Sequence, residues 1–156
     1  MSTENRGAAD RAELADLVGR YAAAVDGRDA AALTALFTAD AQFVQPPALV
    51  RRGQDPVTAG AESISTTVLA ATAHLHSTHH AVHQQVLDRT DGDAAVGQTY
   101  CTAHHIYRAK DGTMRDNAVA IRYQDRYRKT DGRWQIARRE LVVDFADDRA
   151  VTVPGA

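Results

Sequence analysis

Apolar positions fall at helical intervals in the first part of the chain, and beyond residue 80 they alternate with polar ones. Leu17, Val18, Tyr21 and Val25 follow Leu14 at three, four, seven and eleven residues, which puts all five on one helical face and leaves Glu13, Asp16 and Arg20 elsewhere. Asp10 stands where an N-cap is needed, and residues 1–8 before it read as a disordered lead-in. Gly27 marks a C-terminal stop, so Asp26 is carried at the end of the apolar stripe. Asp29 caps a second helix, predicted over 29–38 with Leu33, Leu36 and Phe37 as its apolar positions, and a short strand with Ala41 and Phe43 follows. Residues 46–60 hold three of the four prolines and two glycines, an irregular segment suited to the edge of a pocket. A third helix is predicted over 61–75, with Ile64, Val68 and Leu69 inward.

From His80 onward the pattern is that of strands punctuated by Asp-Gly turns at 91–92, 111–112 and 131–132. Helices first and antiparallel strands after them predict an α+β domain over residues 9–150, a curved antiparallel sheet with helices on one face, followed by a tail at 151–156. Strict alternation in the last strand puts Arg139 with Ala137, Leu141 and Val143, and Arg138 with Trp134 and Ile136, so one arginine points toward the helices. Trp134 and Ile136 then fall on the outer face, where a partner copy could cover them, and a homodimer or homotrimer is expected.

Composition narrows the partners. Hydrophobic residues make up 44% and charged residues 24%, an ordinary globular balance, and the net charge of -2 with no basic stripe argues against nucleic acid. No apolar run approaches the ~20 residues a membrane span needs, and the polar N-terminus lacks a signal-like stretch, so a cytoplasmic protein without membrane contact is expected. Cys101 is the only cysteine, which rules out an intrachain disulfide and favours a small apolar filler over a nucleophile.

The chemistry is concentrated in histidine. Five of the seven, His74, His76, His79, His80 and His83, lie in one ten-residue window, and His104 and His105 form a second pair. On a helix, four of the five would share a face and suggest a metal site. On a strand they separate: His79 and His83 point one way, and His80 points the other with Val82 and Gln84. His80 and His105 are then inward on neighbouring strands, either as hydrogen-bonded core histidines or as an acid/base pair. Asp26 at the end of the first helix could fix an imidazole tautomer and raise its basicity. An inward Arg139 would stabilise a substrate anion, pair with Asp26 or form a structural ion pair, and Tyr21 and Tyr123 are wall candidates.

The segments LVGRYAAAVDGRDAAALTALFTADAQF, STHHAVHQQVLDRTDGDAAVGQTY and IRYQDRYRKTDGRWQIARRELVVDF resemble SnoaL-like domains of the nuclear-transport-factor-like superfamily and cover most of the chain. The tail pattern of Tyr123, Asp125, Tyr127, Asp131-Gly132, Trp134 and Arg139 is the most specific part. The resemblance implies a cone of three helices against a curved sheet enclosing a pocket. It includes polyketide cyclases, scytalone dehydratase and hexachlorocyclohexane dehydrochlorinase, the last two with Asp–His dyads. Asp26 and His80 match the dyad, His105 resembles the dehydratase's second histidine, and Arg139 resembles the dehydrochlorinase's pocket arginine, whose companion lysine is replaced here by Tyr21. The implied activity is cofactor-free elimination, isomerisation or cyclisation of a small apolar or polycyclic substrate lined by Phe43, Cys101, Ile121 and Tyr123, with His80 as the base, Asp26 orienting it, and His105, Arg139 or Tyr21 donating to the departing or developing anion. The superfamily also contains non-catalytic binding and subunit domains, so a binding role is the alternative.

Overall fold

The computed structural model describes residues 3–50 and 52–155, without the side chains of residues 3–6 and 89–91. The chain forms α1 (Thr3–Asp26), α2 (Ala30–Ala35), β1 (Phe37–Val44), a 3-10 turn (Pro47–Leu49), β2 (Val57–Ala59), α3 (Ala61–Thr72), β3 (Ser77–Asp91), β4 (Ala94–Arg108), β5 (Met114–Thr130) and β6 (Arg133–Ala150). One six-stranded sheet runs in the order β2-β1-β6-β5-β4-β3. Every pairing is antiparallel except β1 with β6, which is parallel, a departure from the wholly antiparallel sheet expected. The three helices supply the other side of a core that includes Leu14, Val18, Val25, Leu33, Phe37, Ile64, Tyr123 and Ile136. No helix among the described residues is long and apolar enough to cross a membrane.

All five residues of the α1 stripe are buried. The start of that helix departs from expectation: it begins at Thr3, inside the stretch read as a lead-in, and Met1 and Ser2 lie outside the described residues. Asp10 is consequently an interior helix residue and not a cap. Only 8% exposed, it accepts from the Trp134 indole and from Lys129 Nζ, both at 2.8 Å, and so ties α1 to the sheet. The C-terminal stop is built differently too. Asp29 N–H bonds Ala24 O and Arg28 N–H bonds Val25 O, the two closing bonds of a Schellman motif, and the left-handed position is Arg28 (φ 54°), not Gly27. Asp29 does cap α2, accepting from Ala32 N at 2.9 Å. That helix ends at Ala35, short of the predicted 38, because Phe37 and Thr38 enter β1 beside β6.

Bulges set the sheet's faces. Between Val82 and Gln85 the pairing slips by one residue, so Gln85 is the partly buried residue and Gln84 is exposed, opposite to strict alternation. A second slip, opposite Arg126 and Tyr127, lies between Ile136 and Arg138. It puts Trp134 (5% exposed) and Ile136 (0%) on the same inner face as Arg139 (0%). The outer face therefore does not carry Trp134 and Ile136, and the argument for a partner copy built on them falls away. Gly97, across from Leu87, is also required by the packing, since a Cβ there would stand 2.6 Å from Val86 O.

Candidate active site

The C-terminus of α1 meets the free edge of β3. Because β3 pairs only with β4, its other edge has backbone groups that the ladder leaves open, and Asp26 takes one of them. Asp26 Oδ2 accepts from the His80 backbone N–H at 2.8 Å. Its Oδ1 lies 2.6 Å from His80 Nδ1 and accepts from the Thr78 hydroxyl at 2.8 Å. A carboxylate in the last turn of a helix sits at the negative end of the helix dipole, so nothing in α1 itself favours it there. What holds it is this set of donors on β3. Burial pushes the Asp26 carboxyl up, but the bonds from His80 and Thr78 outweigh that and leave it below its ordinary value.

The geometry assigns the imidazole's atoms. With Nδ1 directed at a carboxylate, Nδ1 carries the hydrogen and Nε2 carries the lone pair. Among the described residues Nε2 makes no hydrogen bond, and the side chain is 8% exposed. The His105 ring approaches that of His80 edge-on, with centroids 6.1 Å apart. Burial, reinforced by His80 and opposed by a hydrogen bond to the Asn117 backbone, holds His105 below its ordinary value, so it is neutral at pH 7. In register with the two histidines, the inner face runs through Ala103 and Val119 and then Ala146, small or apolar residues of which Val119 is half-buried and Ala146 exposed. The inner face thus opens at this end of the sheet.

Arg139 lies elsewhere on that face, with Tyr21 of α1 packed against it. Arg139 is fully buried and donates to Asp125 through Nε at 2.8 Å and Nη2 at 2.7 Å, so it pairs with Asp125 and not with Asp26. Its guanidinium stands 4.1 Å from the centroid of Tyr21 and 4.0 Å from that of Tyr123, and Tyr127 donates its hydroxyl to Asp125 at 2.7 Å. Burial alone would lower the Arg139 pKa, but the Asp125 charge and bonds raise it, so it stays ionised. Nη1 has no hydrogen-bond partner. Burial pushes both Tyr21 and Tyr123 up, which keeps their hydroxyls protonated. No hydrogen bond joins Arg139 or Tyr21 to Asp26, His80 or His105 among the described residues.

Of the residues expected to line a pocket, Phe43, Cys101, Ile121 and Tyr123 are 2–7% exposed and belong to the core. Burial raises the Cys101 thiol, consistent with a packing role. The remaining window histidines His74, His76, His79 and His83 are exposed, and among the described residues no group of three or more His, Cys, Asp or Glu converges on a metal position. Two surface depressions, one between α1 and the start of β6 and one on the outer face, include none of Asp26, His80 and His105. Sequence reasoning missed Thr78, and it named Asp125 in the tail pattern without its pairing to Arg139. Both were signalled by alternation, Thr78 two residues before His80 and Asp125 midway between two inward tyrosines.

A curved six-stranded sheet backed by three helices defines a class of small α+β cones. Residues 6–140 match the family described as the SnoaL-like domain, and the chain belongs to it. No curated protein matches the sequence. Solved structures share its fold. A hexachlorocyclohexane dehydrochlorinase, LinA type 2, superposes with a TM-score of 0.79 at 19% identity, covering 99% of this chain and 100% of that one. A candidate scytalone dehydratase from Novosphingobium aromaticivorans gives 0.79 at 20% identity, with 99% of both chains covered. The Kfla4162 protein from Kribbella flavida gives 0.78 at 22% identity, covering 90% of this chain and 95% of that one.

Proposed function

We propose that this protein is a cofactor-independent acid/base enzyme, a lyase, isomerase or cyclase, acting on a small apolar or polycyclic substrate. The observation that carries the reading is the 2.6 Å contact between Asp26 Oδ1 and His80 Nδ1 with Nε2 left without a hydrogen bond. His80 Nε2 is the base that takes a proton from carbon next to a carbonyl or a leaving group. Asp26 holds the tautomer that presents this lone pair and stabilises the imidazolium that forms. Neutral His105 donates to the departing or developing oxyanion. With Arg139 bound to Asp125, its remaining donor is Nη1, and any part it plays at the substrate comes through that atom. The apolar side of the opening, Val119 with Val143, suits a hydrocarbon ring or chain. Support comes from the SnoaL-like family and from neighbours of the same fold named as a dehydrochlorinase and a candidate dehydratase.

A second reading rests on a specific observation. Asp26 also bonds the backbone of β3, a clamp that a non-catalytic ligand-binding domain would need equally. The two readings separate in a turnover screen of phenolic and polycyclic β-hydroxy ketones and halides, followed by His80→Ala. Losing a general base costs on the order of 10² to 10⁴ in rate. A drop of that size at unchanged ligand affinity is the expected result. Ligand binding without turnover in the parent would favour the binding domain.

A further inference from the structure

We infer that Thr78 is a positioning residue of the Asp26–His80 pair, fixing the carboxylate whose Oδ1 both side chains share. The inference rests on the acid/base reading above.

Two observations carry it. The torsion that turns a carboxylate about its own axis is broad, so one donor does not define its plane. Here the His80 backbone N–H pins Oδ2 at 2.8 Å and the Thr78 hydroxyl pins Oδ1 at 2.8 Å, which orients the plane independently of the imidazole. The imidazole then meets an oxygen already in place, at 2.6 Å. The second observation is register. Thr78 lies two residues before His80 on the same strand and opposite His105, so a rigid backbone segment sets all three side chains on one face. Its β-branch restricts χ1, which keeps the hydroxyl on Asp26.

The test is nitrogen NMR of histidine-labelled protein, which reads the His80 tautomer without any substrate. In the parent the Nδ1–H form should dominate. Thr78→Val keeps the shape and the β-branch but removes the donor, and the ratio of Nδ1–H to Nε2–H should fall roughly three- to tenfold, as the loss of one ordinary hydrogen bond implies. Thr78→Ser restores a hydroxyl and should return the parent ratio, which a purely packing role would not require. Asp26→Asn serves as the reference and should shift the ratio furthest. If Thr78→Val is parent-like while Asp26→Asn is shifted, the inference about Thr78 is overturned and the dyad stands. If Asp26→Asn is also parent-like, the dyad reading itself fails, and the role of Thr78 with it. Should Thr78→Val not fold, Thr78→Ala is read in its place against the same reference.

Discussion

Two carboxylates meet the inner face of the sheet in different settings, one paired with a guanidinium and one with an imidazole. Asp125 and Arg139 are both fully buried and joined by two parallel bonds, with the Tyr21 and Tyr123 rings against the guanidinium and the Tyr127 hydroxyl on Asp125. Asp26 and His80 retain 24% and 8% side-chain exposure, and among the described residues one ring nitrogen makes no hydrogen bond. A charge pair sealed in the core supplies structure, whereas the proposed acid/base pair stands at an open end of the face. The outer face offers a third pair, His104 with Asp116 at 2.7 Å, back to back with the dyad through the neighbouring residue His105. Adjacent histidines on one strand thus have different surroundings because alternation sends them to opposite faces.

The contrast is broken most forcefully at Arg139. Arg139→Met would leave the Asp125 carboxylate buried without its counter-charge, and breaking one side of a buried pair costs about 3–5 kcal/mol. Urea unfolding should record that loss, and adding Asp125→Leu should recover much of it. A double variant no more stable than the single one would show that Asp125 is not the reason for the cost.

At the dyad the expected order reverses, with activity more sensitive than stability. Asp26→Asn keeps the side-chain shape and one acceptor oxygen, so the fold should lose only about 1 kcal/mol, the net worth of a hydrogen bond. Turnover should fall by at least roughly tenfold, because the amide neither stabilises imidazolium nor enforces the same tautomer. Equal losses in stability and turnover would make Asp26 a clamp and nothing more.

The smallest effect is on pH dependence. His105 and Asp26 both have folded pKa values below their ordinary ones, His105 through burial and Asp26 through the donors on β3, which outweigh its burial. For each, the unfolded chain binds the proton first as pH falls, so stability is greatest above the unfolded value and declines below it. The His105 contribution should fade below about pH 6.5 and that of Asp26 below about pH 4. Thermal melting of His105→Gln between pH 7.5 and 5 should vary less than that of the parent. An identical slope would remove His105 as the source.

Much of this was legible in residue order. Spacing placed the α1 stripe and put Asp26 at its end, Asp29 announced its cap, and the Asp-Gly pairs located three hairpin turns. Alternation put His80 and His105 on the inner face, and the resemblance to SnoaL-like domains supplied the cone. These are local or near-local signals, set by turn chemistry and by a period of 3.6 or 2. The errors came where one residue changes the period. The bulges near Gln85 and between Ile136 and Arg138 flip everything beyond them, so Gln84 and Trp134 were assigned to the wrong face. Asp10 suited a cap by its type, yet its partners, Lys129 and Trp134, are more than a hundred residues away.

By itself, then, the sequence determined that three helices precede the long strands and where the turns fall, since those depend on neighbours a few positions apart. Which carboxylate Arg139 and His80 each meet was decided only by tertiary structure. Arg139 had Asp26 and Asp125 both available in the chain, and the bulge in β6 together with the register against β5 brought it opposite Asp125. His80 received Asp26 because β3 is an edge strand whose open side faces the end of α1. Such pairings are fixed by a slip of a single residue and by the order of strands in the sheet, and neither leaves a periodic trace along the chain.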